Sequence, residues 1–303
     1  MPLLWIPARL INFAFIWQIV LSFCYFSLDE GEDDQPAIDP WELMEPIDAI
    51  GRLNKDCANF EEIVASKKWQ ERKEALEALL KIVEGQRLDA SGNYGDIVSV
   101  LKNIIAKDSN INVVSIAAKC ITAMATGLRK KFSQFAAMCI PVIIDKFKEK
   151  KQLVRDALRD AIDAVGKTTN LEAMSEDLVK GMENKNPVVR SEVSLYLCRA
   201  FAIFSTAMLT KKILKVYCCT LVALSSDQDG VVRDSALNAI GVAMKVVGEK
   251  NVAPFLTEVD SIKMAKIKEF CDNAVVSNAT APRQPKPAKA ASPAKSTASQ
   301  KPK

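Results

Sequence analysis

The chain repeats itself, and that limits what it can fold into more than any other property. Five stretches, WQERKEALEAL, NVVSIAAKCIT, LVRDALRDAI, PVVRSEVSLYL and GVVRDSALNAI, can be laid over one another with Arg72, Ser115, Arg155, Arg190 and Arg233 coinciding, at successive spacings of 43, 40, 35 and 43 residues. A unit of this size cannot close a core of its own, so each repeat must bury its apolar face against the next. Within each stretch the apolar residues recur at helical spacing. Small residues at Ala75, Ala118, Ala161 and Ala236 mark places where neighbouring helices approach closely.

Between Cys57 and Asp272 the same periodicity predicts twelve helices, paired as six hairpins and separated by short polar breaks. A period near forty belongs to HEAT or armadillo units and excludes the tighter ankyrin and tetratricopeptide arrays. With 49% apolar residues, 7% aromatic and only 11 glycines in 303 residues, packed helices suit the composition better than a loop-rich β fold. The expected fold is therefore all-α, a HEAT-repeat solenoid of six helical hairpins forming a flat paddle over residues 45–273.

The flanks differ from this body. Residues 1–28 carry Arg9 as their only charged side chain and contain an apolar run almost long enough to cross a bilayer. Two readings stay open, a signal or membrane anchor and a non-native start. Residues 29–44 form an acidic linker. After Asp272 no acid remains, and residues 274–303 form a Pro, Ala, Ser and Lys tail that cannot bury enough surface to fold. Its cations suit a polyanionic surface, and a solvated linker reads equally well.

Catalysis is a poor fit. There is no His, which removes the commonest general base and imidazole ligand. No phosphate-binding glycine loop, nucleophile elbow or calcium loop occurs either. The eight cysteines include no CxxC pair and read as reduced core thiols of a cytosolic protein. No catalytic residue, cofactor or metal site is expected. The net charge of +4 is too mild to imply nucleic acid.

What remains is binding. In such an array the turns inside the hairpins line up along one edge, so a ligand reading that edge meets one short loop per repeat. The turns are Ser66-Lys67-Lys68-Trp69, Lys107-Asp108-Ser109-Asn110, Lys148-Glu149-Lys150-Lys151, Asn184-Lys185-Asn186-Pro187 and Ser226-Asp227-Gln228-Asp229-Gly230. Three of the five are rich in Lys, and the first adds a Trp, the side chain most enriched in binding hot spots.

Here a resemblance enters. KKWQERKEAL, GLRKKF, KFKEKKQ and NKNPVVR resemble the hallmark stretches of TOG domains in the ch-TOG and Mini spindles family of microtubule polymerases, over roughly residues 40–273. DPWELMEPIDAI and KVVGEKNVAPFLTEVD look most like the second TOG domain of that family. The resemblance implies that the turns dock on a curved αβ-tubulin dimer, the first on β-tubulin and the last on α-tubulin. Trp69 would be the aromatic anchor, with Lys67, Lys68, Val113, Lys150 and Lys151 around it, and Lys185, Asn186 and Arg233 towards α-tubulin. It further implies a place on microtubules, spindle, centrosome and kinetochore, at growing plus ends. The tail could reach the microtubule lattice, and a membrane would be a partner only if residues 1–28 are an anchor. Arg233 reads equally as part of a structural ladder with Asp156 and Asp234, and Asp227 and Asp229 sit awkwardly in an edge that should meet acidic tubulin. The alternative to tubulin capture is a generic HEAT scaffold that binds another partner on its concave face.

Overall fold

A computed structural model describes residues 39–276. The leader and the tail beyond residue 276 lie outside the described residues, as does the acidic linker up to residue 38. Contacts divide the chain at Leu43 and Met44. On the near side, residues 39–43 make a turn in which Asp39 accepts from the Trp41 backbone N–H (2.9 Å) and the Glu42 N–H (2.8 Å). From Met44 onward the chain is a body of packed helices.

Those helices are α1 (Ala49–Asp56), α2 (Phe60–Val64), α3 (Trp69–Val83), α4 (Gly95–Lys107), α5 (Ile111–Leu128), α6 (Ser133–Lys146), α7 (Gln152–Thr168), α8 (Ser175–Met182), α9 (Pro187–Ile203), α10 (Lys211–Leu224), α11 (Gly230–Val247), α12 (Glu249–Val252) and α13 (Ser261–Asn273). Single 3-10 turns, Arg129–Phe132 and Ala253–Phe255, precede α6 and follow α12. They form two layers. In one, α3, α5, α7, α9, α11 and α13 stack in order, and in the other α4, α6, α8 and α10 do the same.

The expected all-α solenoid of paired helices is what folds. In α7, Val154, Leu158, Ala161, Ile162 and Val165 are buried, one helical face pointing inward. Ala75, Ala118, Ala161 and Ala236 are all buried where helices meet. Glycine permits one close approach: a Cβ on Gly241 of α11 would lie 2.7 Å from the Phe270 Cβ and 2.8 Å from the Ile267 carbonyl oxygen of α13. Between α7 and α9 the contact is partly polar, with Arg159 gripping the buried Glu192 and Arg199 pairing with Asp163 (2.6 Å).

Several expectations need correction. The first repeat is preceded by an unforeseen helix, α1, whose Ala49 and Leu53 are buried with Ile50 packed beside them; three apolar residues in eight are too few to register as periodicity. The stretch Cys57–Ala65 shrinks to α2. Residues 171–174, expected as helix, form a turn before α8. The expected helix Val252–Leu256 is the end of α12 followed by the 3-10 turn. Finally, the N-caps set the repeat register. With Lys68, Asn110, Lys151, Asn186 and Asp229 at equivalent places, Arg72, Arg155, Arg190 and Arg233 are matched by Val114, one residue before Ser115.

Of the eight cysteines read as core thiols, Cys120, Cys139, Cys198 and Cys218 are buried, Cys57 and Cys271 are half-buried and Cys219 is exposed, all seven unbridged, while Cys24 lies outside the described residues. Burial pushes the Cys139, Cys198 and Cys218 thiols up to about 12, which keeps them protonated and unreactive.

Candidate functional site

The hairpin turns share a construction that explains their shape. Two residues before the N-cap, a short polar side chain accepts the N–H of the N-cap residue itself: Asp108 from Asn110 (2.8 Å), Asn184 from Asn186 (2.9 Å), Asp227 from Asp229 (2.9 Å) and, more loosely, Ser66 from Lys68 (3.2 Å). Asn and Asp are the residues best able to close such a local loop. The N-cap side chain then accepts from the first turn of the helix. Asn110 takes the Asn112 and Val113 N–H groups, Asn186 takes Val188, and Asp229 takes Val231 and Val232. Lys68 and Lys151 hold the same place in the first and third hairpins and supply no side-chain cap.

The recurring arginine, four residues after the N-cap, folds back over its own turn. Arg72 donates to the carbonyls of Ser66 (2.8 Å) and Lys67 (3.2 Å), Arg155 to Glu149 and Lys150 (both 3.1 Å), Arg190 to Asn184 (2.8 Å) and Lys185 (3.0 Å), and Arg233 to Asp227 (2.8 Å) and Gln228 (2.9 Å). A fork of donors on a long stem is suited to this, because it satisfies two carbonyls that no helix can. The expected ladder through Asp156 and Asp234 is replaced by this clamp: Asp156 accepts from Gln152 and Arg159, and Asp234 pairs with Lys266.

Neighbouring turns are tied together. Arg72 reaches Asp108 of the next turn (2.8 and 3.0 Å), and Arg190 reaches Asp227 in the same manner (2.8 and 2.9 Å). Lys146 donates to the Asp108 carbonyl (3.3 Å), and Lys263, in the first turn of α13, donates to Ser226 (2.9 Å). These links bring turns one to three into one contiguous edge, and turns four and five into another with a sixth turn, residues 256–260 ahead of α13. They also answer the difficulty posed by the acids of the fifth turn. Asp227 is 11% exposed and neutralised by Arg190, which holds its carboxyl below the usual range, while Asp229 is occupied as a cap.

Of the nine residues singled out from the sequence, six are exposed at the turns. Trp69 is 38% exposed, and Lys67, Lys68, Lys150, Lys151 and Lys185 are exposed. Lys68 pairs with Glu71 (2.8 Å), and the hydrogen bond raises its pKa. Asn186 is half-buried and caps α9, and Arg233 clamps the fifth turn, so both shape the edge from within. Val113 is corrected outright. It is 0% exposed and sits with Val154, Val189 and Val232 at the third helical position, which points into the core. Sequence reading also passed over exposed apolar side chains on the same edge: Leu153 and Val231, each at the second helical position. The signal was an apolar residue one place ahead of the buried valine.

Comparison with known proteins bears on the family of the chain. Residues 58–271 match the family model described as XMAP215/Dis1/CLASP, TOG domain. The chain is similar to the Drosophila melanogaster protein mini spindles, 42% identical over 280 residues, covering 90% of this chain and 14% of that protein. It therefore spans about a seventh of that relative's length. A solved structure concerned with microtubule plus end tracking by XMAP215, CLIP-170 and EB1 is 43% identical, with a TM-score of 0.74 over 78% of this chain and 97% of the other. Another, concerned with tubulin recruitment and assembly by microtubule polymerases with TOG domain arrays, is 27% identical, with a TM-score of 0.71 over 90% of this chain and 60% of the other.

Proposed function

The chain belongs to the XMAP215/Dis1/CLASP TOG-domain family, and from that premise we propose that it captures the αβ-tubulin dimer on the edge formed by its hairpin turns. The observation that carries the reading is Trp69: an indole left 38% exposed at the first residue of α3, flanked by Lys67 and Lys68 and followed along the edge by Lys150, Lys151 and Lys185. A half-exposed aromatic ringed by cations is the composition of an interface anchor with a steering rim. The first turns face β-tubulin and the last face α-tubulin. Within the family, DPWELMEPIDAI and KVVGEKNVAPFLTEVD support a reading as the second TOG domain. The relatives' names and subjects, spindles and microtubule polymerases among them, support a role in plus-end growth and in organising spindle, centrosome and kinetochore microtubules in the cytoplasm. The basic tail adds a contact to the acidic lattice.

Delivery of a subunit needs no covalent chemistry, only a hold that is specific and reversible. The test is comigration of the purified chain with unpolymerised tubulin on gel filtration at low salt. Trp69→Glu removes the apolar face and places a carboxylate against an acidic partner, with an expected loss of at least about thirtyfold in affinity. Helical circular dichroism should be unchanged, since the indole is not a core group. Retained comigration by the variant would refute the edge, and failure of the wild type to comigrate would refute tubulin as the partner.

A further inference from the structure

We propose that the turn edge carries, besides Trp69, a row of aliphatic anchors, Leu153, Val231 and Ile262, and that the footprint of the same partner extends onto the sixth hairpin; the inference rests on the tubulin reading above. Nine large apolar side chains are exposed among the described residues. Trp69, Leu153, Val231 and Ile262 account for four, each at the first or second residue of a helix in the layer that runs from α3 to α13. The six helices of that layer offer only twelve such places among 238 described residues, so about half a residue would fall there by chance. A single exposed Val or Ile is ordinary on a protein surface. Recurrence at one register of a repeat, at 50% exposure for Leu153, 65% for Val231 and 82% for Ile262, is not.

Local structure does not ask for these residues. The register places a buried valine next in line (Val154 after Leu153, Val232 after Val231), and that residue, not its exposed neighbour, fills the core. The second hairpin has Asn112 at the equivalent place and turns its first helical residue, Ile111, against the core. The fourth has Val188, half-buried. Apolar tips therefore mark hairpins one, three, five and six. Adjacent helices of one layer sit roughly 10 Å apart, so alternate tips recur at roughly 20 Å.

Continuity with the Trp69 edge identifies the occupant. The sixth turn is joined to the fifth by Lys263 and Ser226 (2.9 Å), and Lys151 stands two residues from Leu153, so each aliphatic tip shares its surroundings with the polar rim. A partner that accepts Trp69 in an apolar cleft and lysines on acidic ground thus meets further apolar contacts along the same line, and the anchor energy is spread over the array instead of resting on one indole.

The experiment uses the full chain and purified tubulin held unpolymerised. Leu153→Ser, Val231→Ser and Ile262→Ser are measured singly and together by equilibrium sedimentation, with Ile203→Ser and Val216→Ser, exposed apolar residues away from the turns, as controls. Each edge variant is expected to weaken binding about tenfold, the triple variant to multiply these losses, and the controls to stay within about twofold. If wild type binds and Trp69→Glu does not, yet the edge variants match the controls, the anchors are refuted and tubulin capture stands. If wild type does not bind, both fall together. If the chain instead self-associates through this row, with the triple variant monomeric and binding tubulin as wild type does, a second copy is the occupant and the proposal is overturned.

Discussion

Arg190→Ala offers the sharpest check on how the edge is held. Its guanidinium donates to the Asn184 and Lys185 carbonyls and pairs with Asp227. Losing two carbonyl bonds costs about 1–2 kcal/mol, and leaving a largely buried carboxylate unpaired adds about 1–2 more, so the variant should lose about 2–4 kcal/mol. Arg233→Ala forfeits the same kind of carbonyl bonds (Asp227 and Gln228) and no buried ion pair, and should lose about 1–2 kcal/mol. Asp227→Asn preserves the acceptor that the Asp229 N–H needs while removing the charge, so Arg190→Ala in that background should fall back to the Arg233 value. The assay is urea unfolding followed by circular dichroism and by tryptophan fluorescence, two probes being needed because repeat arrays need not unfold in one step. Acid supplies a second arm. Arg190 depresses the Asp227 pKa, so the carboxylate's contribution is present above its unfolded value of about 4 and disappears as pH falls through the lower folded value. The wild type's advantage over Asp227→Asn should shrink between pH 5 and pH 2. Equal losses for Arg190→Ala and Arg233→Ala, with no coupling to Asp227, would refute the clamp-and-tie account.

Two further outcomes follow from where side chains lie. Val113→Ala should destabilise the body by about 1–3 kcal/mol while leaving tubulin affinity per folded molecule unchanged, measured by urea unfolding and gel-filtration titration; a selective loss of affinity would return Val113 to the interface. Lys151→Asn should stabilise the chain by about 1 kcal/mol by capping α7, and weaken tubulin binding, most at low salt, so a tighter complex would count against a cationic rim.

The array was legible because its signal is redundant. A buried face repeated at a fixed period survives local error, as in α3, α5, α7, α9 and α11, whereas α1 offered two buried residues and no repeat partner. The lysines and Trp69 were readable for a related reason: a charged or bulky side chain in, or just after, a turn of three to five residues has little to pack against and points out. Val113 was misread because direction within the first helical turn depends on a single step of register, whereas Arg233, left open between contact and structure, clamps its own turn. Aligning Ser115 with the arginines slid the second hairpin by one residue, and the buried third position then looked like an exposed tip. Asn110, an N-cap by residue type, would have fixed the register from sequence alone. That Arg72 and Arg190 cross to the next turn was beyond reach, since it needs Asp108 and Asp227 brought close by the stacking itself.

The caps also explain why the first and third turns are the ones to watch. Asn or Asp opens α5, α9 and α11 and satisfies their leading N–H groups. Lysine, which cannot accept a hydrogen bond, opens α3 and α7, where it also sets a positive charge at the positive end of the helix dipole. Each of these choices sacrifices about 1 kcal/mol against an asparagine at the same place. Folding gains nothing from them, and the arginine clamps of Arg72 and Arg155 are already present to hold those turns closed. The two helices that begin badly are the same two that present paired lysines beside an exposed apolar residue, Trp69 in one and Leu153 in the other. A local rule broken twice in one register, beside the same pairing of charge and apolar surface, is accounted for by what the edge must meet, not by how the chain must fold.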